Sequence, residues 1–375
     1  MINFIYIYRY TFSFMPLVPS YIKNLKSYKP GKTIAEAKSE YGIRYFTKLA
    51  SNENPIGPSP LSIKAIGKSL TDLHRYPDST GIRLRKKLAK HHNISTENVI
   101  LGAGSEGIMS TIMRTFLLND DELISASNSF IGFRVLANAS GNKVKWVPMK
   151  SNRYDLNAIS REINDYTKII YIANPDNPTG TYITKKEFDN FYKSIPERVL
   201  VILDEAYFEY AADKKDYPNS MNYRYDNVIT LRTFSKIYGL AGIRIGYGFA
   251  HGNLINSLMK VKAPFEPSTL AQTAALAALK DNSFVHKSLK VNKEGLHYFE
   301  KEFKKESIDF IKSSTNFITT CWPSEVIATK ITNNLLKLGV IVRQLNAFGL
   351  SNYIRVSIGL QEENIQFIKC LKKVL

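Results

Sequence analysis

The chain has 375 residues, of which 44% are hydrophobic and 12% aromatic; this is enough for a large core in two domains, or in one domain with a smaller lobe. The formal net charge is +18, but the basic residues are spread along the chain, which disfavours a nucleic-acid-binding role. Cys321 and Cys370 form no C-x-x-C pattern, so they indicate neither a disulfide framework nor a cysteine metal site. We expect a cytoplasmic globular protein with no metal and no nucleic-acid or membrane partner.

Residues 1–14 are apolar and aromatic, but they contain Arg9 and are too few for a membrane helix. We interpret them as a possible extra N-terminal extension, with Met15 as an alternative start. Residues 21–49 include Pro30 and Gly31 and are expected to be irregular. Residues 15–45 are therefore assigned to an N-terminal segment associated with a small domain.

From about residue 96 to residue 250, short apolar runs alternate with longer helical patterns. Strands that are apolar throughout and separated by helices predict a mainly parallel sheet covered on both faces, with ligands at the carboxyl ends of the strands. The predicted strands are 99–101, 123–125, 144–147, 168–172, 199–203 and 228–231, and the predicted helices between them are 108–118, 131–139 and 185–194.

After residue 254 the pattern becomes helical as far as Lys280 and again over 284–305, and short strands follow near 316–321, 340–343 and 353–358. The fold class predicted is α/β, with a large domain over residues 46–280 and a smaller α+β C-terminal domain over residues 281–375.

The segment 102–107, GAGSEG, follows a predicted strand and opens a predicted helix. Its glycines allow a backbone to approach an anion closely, and the N–H groups at the start of the helix bind phosphate. The segment also matches G-x-G-x-x-G, so a dinucleotide enzyme is an alternative at this point. The pattern predicts a phosphate site without identifying the ligand.

Two further segments follow predicted strands. Asn177 stands in NPDNPTG (174–180), where Pro178 restrains an amide that can donate to a ligand oxygen. Asp204 ends an apolar run, and an unpaired charge there is costly, so a cation should face it. That cation is either part of a structural ion pair or a protonated heterocyclic nitrogen, and Tyr207 is placed to reach the same ligand.

Lys236 lies among apolar, small and hydroxyl residues in TFSKIYGLAGIRIGY (233–247). A lysine amine in such a setting can attack a carbonyl carbon as a nucleophile. Together the segments describe pyridoxal phosphate, a cofactor that carries an aldehyde for Lys236, a ring nitrogen for Asp204, a hydroxyl for Asn177 and Tyr207, and a phosphate. The predicted phosphate ligands are Ser105, Ser235 and Arg244.

The order of these segments resembles the class I and II aminotransferases of pyridoxal-phosphate fold type I, over residues 16–375. Further motifs that carry the resemblance are LASNENP (49–55), RYP (75–77) and YIRVSIG (353–359). Within the family, the chain is most similar to the histidinol-phosphate aminotransferases. The resemblance implies a homodimer that transfers an amino group between histidinol phosphate and a 2-oxo acid, 2-oxoglutarate.

The resemblance also implies individual roles. Phe130 would stack on the cofactor ring, Gly104 and Glu106 would belong to the cofactor-binding residues, and Tyr76 would reach the cofactor phosphate of the other subunit. The implied substrate-binding residues are Tyr28, Asn52, Arg343 and Arg355.

Three residues depart from the pattern of histidinol-phosphate aminotransferases. Phe265 and Glu266 stand where a Tyr-Asn pair is usual, and Gln344 replaces a proline. Phe265 removes a possible hydroxyl donor, and Glu266 would repel a phosphate if it pointed inward. An aromatic amino acid aminotransferase is therefore an alternative, and a threonine-phosphate decarboxylase of the same fold is a more distant one.

Overall fold

The computed structural model describes residues 17–27, 31–43, 45–223 and 226–375. The proposed extension at residues 1–14 and Tyr28 lie outside these residues. Within them, the N-terminal segment contains α1 (Ser20–Lys23) and α2 (Ile34–Tyr41), and the strand β1 (Thr47–Lys48) follows it. No helix in the described part of the chain is both long and apolar enough to cross a membrane.

The large domain alternates helices and strands as predicted. Its elements are α3 (Pro60–Ser69), α4 (Ile82–His92), β2 (Val99–Gly102), α5 (Gly104–Phe116), β3 (Glu122–Ala126), α6 (Ile131–Ala139), β4 (Lys143–Val147), α7 (Leu156–Arg161), β5 (Thr167–Ala173), α8 (Lys185–Tyr192), β6 (Leu200–Asp204), α9 (Phe208–Ala211), β7 (Val228–Thr233), β8 (Gly246–Phe249), α10 (Gly252–Val261) and α11 (Thr269–Ala278).

The small domain is built on a second sheet. Its elements are α12 (Asn282–Lys305), β9 (Asp309–Ile311), β10 (Phe317–Cys321), α13 (Glu325–Lys337), β11 (Val340–Ile341), β12 (Arg343–Leu345), β13 (Leu350–Ser357) and α14 (Gln361–Val374). Short 3-10 turns occur at Leu70–Asp72, Thr96–Asn98, Ser220–Asn222, Ala241–Ile243 and Asn346–Phe348.

The sheet of the large domain has the strand order β2-β8-β7-β6-β5-β3-β4. Neighbouring strands from β7 through β4 are parallel, whereas β8 runs antiparallel to both β7 and β2. The mainly parallel sheet is therefore confirmed. Strand β8 was not predicted, because Gly246 and Gly248 disfavour a strand when only local sequence is considered. A Cβ at Gly248 would lie 3.0 Å from Leu231 Cδ2, so β7 approaches closely here and a larger residue would press on the Leu231 side chain.

The core lies on both faces of this sheet. Along β5, Ile169 and Tyr171 belong to one apolar cluster, while Ile170 and Ile172 belong to the cluster on the opposite face. This alternation explains the uninterrupted apolar runs, since each residue of a strand covered on both faces is buried. Asp204 is the last residue of β6, so it lies where this buried strand ends at the edge of the sheet.

The four-stranded sheet of the small domain has the order β12-β13-β10-β9, and its strands are antiparallel. Its core includes Phe299, Phe303 and Phe367, together with Leu49, which follows β1. Thr47 pairs with Val340 in a parallel bridge between β1 and β11. Ala37 of α2 shares an apolar cluster with Ile341 of β11, so the N-terminal segment also packs on the small domain.

The expectation that residues 21–49 are irregular was wrong for part of this segment. Helix α2 begins with a capping box, in which Thr33 Oγ1 accepts from the Glu36 N–H at 3.1 Å and the Glu36 side chain accepts from the Thr33 N–H at 2.7 Å. Gly42 ends the helix in the left-handed conformation. Gly31 precedes the helix rather than interrupts it, and Pro30 lies outside the described residues.

Candidate active site

A cavity of about 190 Å³ lies where the carboxyl ends of β5, β6 and β7 meet the start of α5. We call it the inner cavity. All the predicted cofactor residues except Tyr76 line it: Gly104, Ser105, Glu106, Phe130, Asn177, Asp204, Tyr207, Ser235, Lys236 and Arg244, together with Ala173, Pro175, Ala206, Thr233 and Ala241.

Lys236 is half-buried on the turn that follows β7. Its backbone carbonyl accepts from the Gly239 N–H at 3.0 Å, and the carbonyl of Ile237 accepts from Asn54 Nδ2 at 2.8 Å. The turn is therefore held from within and from the chain segment that follows β1. Lys236 Nζ lies 5.6 Å from the centre of the Tyr207 ring, so the amine and the phenol share one wall of the cavity.

The opposite end of the cavity is suited to an anion. Ser105 lies in the first turn of α5, where backbone N–H groups without intrahelical partners face outward. A Cβ at Gly246 would lie 2.5 Å from Ser105 N, so glycine is required for β8 to pass this close to the helix start. Ser235 and Arg244 complete this end, and Arg244 Nη2 lies 3.2 Å from Glu106 Oε2.

Asp204 is 3% exposed, and its carboxylate accepts from Tyr171 Oη at 2.8 Å and from the Ala206 N–H at 3.2 Å. Burial raises the pKa of the Asp204 carboxyl to about 6. The structural ion pair considered for this site lies instead at the next residue, where Arg232 Nη2 is 2.8 Å from Glu205 Oε2. Asp204 therefore keeps its carboxylate for a ligand in the cavity.

Two donors converge beside Asp204. The oxygen Oδ1 of Asn177 accepts from Arg355 Nη1, so the Nδ2 group of this amide is the one that can donate to a ligand. The Tyr207 hydroxyl accepts from Asn52 Nδ2 at 2.9 Å, which directs its own proton elsewhere. Both side chains line the cavity and can donate to a single ligand oxygen.

Arg355 joins the small domain to this site. It is buried, its Nη2 donates to the Ala50 carbonyl at 2.9 Å, and its guanidinium lies 5.3 Å from the centre of the Phe317 ring. Arg343 is its direct neighbour across strands β12 and β13, so both side chains project from one face of the small sheet.

Arg343 lines a second space, which we call the outer groove, of about 860 Å³ between residues 24–27, helix α6 and residues 343–347. Its cationic side chains are Lys26, Arg134 and Arg343, and none of the described residues that line it carries a carboxylate. The outer groove is therefore suited to anionic groups.

Other predicted residues lie outside the inner cavity. Asn52 is buried, does not line the cavity, and donates to the Tyr207 hydroxyl, which does. Tyr76 is 81% exposed and stacks on Phe265, with 4.4 Å between ring centres. Glu266 does not line the cavity, and Lys262 Nζ donates to its backbone carbonyl.

Sequence reasoning missed the residues that support the cavity from behind. In the register of β5 and β6, Ala173 pairs with Asp204, and Tyr171 lies two residues earlier on the same face. A hydroxyl at this position in an apolar strand was therefore a usable signal for the partner of Asp204. Ser129 and Asp176, which contact each other, gave no such signal because they are far apart in sequence.

The inner cavity fits pyridoxal phosphate by the chemistry of its side chains. Lys236 offers an amine to the aldehyde, Asp204 a carboxylate to the ring nitrogen, and Asn177 and Tyr207 donors to the ring hydroxyl. The phosphate is matched by Ser105, Ser235, Arg244 and the start of α5.

Comparison with known proteins agrees with this reading. The family model "Aminotransferase class I and II" matches residues 44–368. Histidinol-phosphate aminotransferase 1 of Nitrosococcus oceani is 41% identical over 96% of this chain and 98% of its own length. The histidinol-phosphate aminotransferase of Caldicellulosiruptor saccharolyticus is 42% identical over 94% of this chain and 99% of its own.

Solved structures share the fold. The histidinol-phosphate aminotransferase of Sinorhizobium meliloti, in complex with pyridoxal-5'-phosphate, gives a TM-score of 0.88 at 26% identity, over 96% of this chain and 98% of that one. An aspartate aminotransferase double mutant of Thermus thermophilus gives 0.82 at 20% identity, over 96% of this chain and 99% of that one, a likeness of fold alone. The predicted fold class and family are confirmed: the chain belongs to the class I and II aminotransferases.

Proposed function

We propose that this aminotransferase transfers the amino group of histidinol phosphate to 2-oxoglutarate, with pyridoxal phosphate bound in the inner cavity. The observation that carries the proposal is that Lys236 shares one cavity with the buried carboxylate of Asp204 and the amide of Asn177. The substrate assignment is supported by the 41% identity to a relative named for histidinol phosphate.

When bound, pyridoxal phosphate supplies a ring that accepts electrons from a carbon that loses its proton. Lys236 Nζ acts as the base that takes this proton and as the acid that returns it. Asp204 holds a negative charge at the buried end of the cavity, which favours a protonated ring nitrogen there. Asn177 and Tyr207 orient the ring by donating to its hydroxyl, and Phe130 restricts its tilt by packing against its face.

The substrate end has to accept a phosphate ester in one half of the cycle and a dicarboxylate in the other. Guanidinium groups bind phosphate and carboxylate with the same pair of donors. Arg355 and Arg343 are cross-strand neighbours, so together they offer two such groups between the inner cavity and the outer groove. Asn52 supports this end through its contact with Tyr207.

The proposed enzyme is a homodimer in which Tyr76 reaches the cofactor phosphate of the other subunit. In one chain Tyr76 is largely exposed and belongs to no wall of the inner cavity. Phe265, which stacks on it, is also exposed, as are Leu61, Ile63, Leu70 and Leu73 in the preceding part of the chain. An apolar surface of this kind favours burial against a second copy. We place the reaction in the cytoplasm.

A half-reaction screen tests the proposal. The purified enzyme, loaded with pyridoxal phosphate, is mixed separately with histidinol phosphate, glutamate, phenylalanine, tyrosine and threonine phosphate, and the visible absorbance of the cofactor is followed. We expect rapid conversion by histidinol phosphate and glutamate. Rapid conversion by phenylalanine but not by histidinol phosphate would identify an aromatic amino acid aminotransferase, and carbon dioxide released from threonine phosphate would identify a decarboxylase.

A further inference from the structure

Asp176 lies directly before Asn177 in the turn that follows β5, but it does not line the inner cavity. Its side chain is buried, with 1% of the residue exposed. A buried carboxylate is costly unless hydrogen bonds satisfy it, so the contacts that it makes identify what it holds in place.

These contacts join two turns. Asp176 Oδ1 accepts from Ser129 Oγ at 2.6 Å, and Oδ2 accepts from the Thr179 N–H at 3.1 Å and from Thr179 Oγ1 at 2.9 Å. Ser129 is the neighbour of Phe130, just as Asp176 is the neighbour of Asn177. One carboxylate therefore connects the turn that carries Phe130 to the turn that carries Asn177. Phe130 is proposed to pack on the face of the cofactor ring, and Asn177 to donate to its hydroxyl.

The direction of these hydrogen bonds follows from the groups involved. The Ala173 N–H can only donate, and it donates to the Tyr154 hydroxyl at 3.0 Å. Tyr154 Oη lies 2.6 Å from Ser129 Oγ. Because the serine proton is directed to Asp176, the tyrosine proton is directed to the serine. The chain of donors begins at the end of β5 and terminates at the carboxylate of Asp176.

We propose that Asp176 is a positioning residue that couples Phe130 to Asn177, so that the ring of the cofactor is oriented from two sides by one buried carboxylate. This inference rests on the proposed function and deepens it. It assigns to Asp176 no contact with the substrate or the cofactor. Its effect passes through Ser129 on one side and through the turn that carries Asn177 on the other.

Asp281 provides a matched control. It is also buried, and it accepts from Ser59 Oγ at 2.6 Å, from Ser283 Oγ at 3.0 Å and from the Phe284 N–H at 3.3 Å. It stands at the start of α12 and has no contact with the inner cavity. Substitution of Asp281 reports what the loss of a buried, hydrogen-bonded aspartate does to stability alone.

The experiment measures the dissociation constant of pyridoxal phosphate and the visible circular dichroism of the bound cofactor, without any amino donor. The variants are Asp176→Asn, Ser129→Ala, the double variant and Asp281→Asn. We expect each single change at 129 or 176 to raise the dissociation constant about tenfold and to reduce the dichroism, since hydrogen bonds to charged groups have effects of this order. The double variant should bind pyridoxal phosphate as tightly as the single variant with the higher dissociation constant, because both substitutions break the same connection.

Asp281→Asn should lower the thermal unfolding midpoint while leaving the dissociation constant within about twofold, as expected for a site that has no contact with the cofactor. The proposal is overturned if the effects at 129 and 176 are additive, or if both singles resemble Asp281→Asn. If Asp176→Asn fails to fold, an unchanged dissociation constant in Ser129→Ala is enough to overturn the proposal. If the unsubstituted protein binds no pyridoxal phosphate, the proposed function itself is wrong.

Discussion

The inner cavity and the outer groove are built in different ways. The inner cavity is formed by turns that follow neighbouring strands of one sheet and by the start of one helix. The outer groove is formed by the N-terminal segment, α6 of the large domain and residues 343–347 of the small domain. The large domain therefore supplies the side chains for the chemistry, whereas we expect the approach of separate parts of the chain to set the choice of substrate.

The two regions also differ in burial. Asp204 and Asn177 are buried and hydrogen-bonded, Asp204 to Tyr171 of the large domain and Asn177 to Arg355 of the small domain. Lys26 is exposed, and Arg134 and Arg343 are only partly covered. Interactions are stronger where water is excluded. Substitutions should therefore have their largest effects in the inner cavity and smaller, more substrate-dependent effects toward the outer groove.

The largest effect is expected for Lys236→Ala. Removal of the general acid–base group should lower turnover by at least about 10²–10⁴-fold. Borohydride reduction followed by mass spectrometry should attach the cofactor to the unsubstituted enzyme and not to this variant. Lys280→Ala, an exposed lysine of the same domain, is the control and should retain both properties. Activity in Lys236→Ala close to that of the control would contradict the assignment.

The next largest effect is expected for Asp204→Asn. Loss of a buried charge partner typically costs about 3–5 kcal/mol, so cofactor binding at pH 8 should weaken by at least about a hundredfold. Because burial raises the pKa of Asp204 to about 6, the unsubstituted carboxyl becomes protonated as the pH falls through this value. The difference between the two proteins should then shrink, which titration of cofactor binding from pH 8 to pH 5 would detect.

The same pKa makes an opposite prediction for the cofactor-free protein. A folded pKa raised above the unfolded value of 3.8 means that the carboxyl contributes most to stability below about pH 4, and that this contribution is lost as the pH rises through about 6. In urea unfolding of the cofactor-free proteins, the free energy of unfolding of Asp204→Asn should therefore compare more favourably with that of the unsubstituted protein at pH 8 than at pH 4. An equal difference in free energy of unfolding between the two proteins at pH 4 and at pH 8 would show that the charge of Asp204 does not cause that difference.

Arg355→Ala tests the boundary between the two regions. The guanidinium donates to Asn177 and to the Ala50 carbonyl, so its loss should reduce kcat/KM roughly 10- to 150-fold, the range for hydrogen bonds to charged groups. Arg343→Ala should have a smaller effect, and one that is greater for histidinol phosphate than for glutamate. Equal losses for both donors in Arg343→Ala would remove this residue from phosphate recognition.

The sequence was sufficient for the features that depend on local pattern. Apolar runs predicted β5, β6 and β7, and the residues that follow them, Asn177, Asp204 and Lys236, meet at one cavity because parallel strands end at the same edge. Arg355 was assigned from the resemblance to a family, but its contact with Asn177 was not foreseen.

What escaped prediction depends on how distant parts of the chain pack. Ser129 contacts Asp176, and Asn52 contacts Tyr207, across long separations in sequence. No periodicity of hydrophobic residues encodes such pairs, because they arise only after the sheet and the small domain have assembled. The structural ion pair considered for Asp204 escaped prediction for a similar reason, since Arg232 pairs with Glu205 on the next residue.

The smallest effect is expected for Tyr76→Phe, which removes one hydroxyl from a largely exposed ring. Loss of one hydrogen bond to the cofactor phosphate should weaken cofactor binding by about tenfold, the lower end of the range for hydrogen bonds to charged groups, with no change in the position of the absorbance band. Tyr166→Phe, which alters another exposed tyrosine, should leave the dissociation constant unchanged.

A mixed dimer decides whether Tyr76 acts on its own subunit or on the other. Lys236→Ala and Tyr76→Ala subunits are combined, and the heterodimer is isolated. If Tyr76 acts across the interface, both substitutions fall in one site, the second site is unaltered, and about half of the normal activity per dimer returns. If it acts within its own subunit, each site carries one substitution, and the heterodimer is no more active than half of the Tyr76→Ala homodimer at the same, limiting concentration of pyridoxal phosphate. Recovery would show that the inner cavity, although built by one domain, is completed only by a second chain.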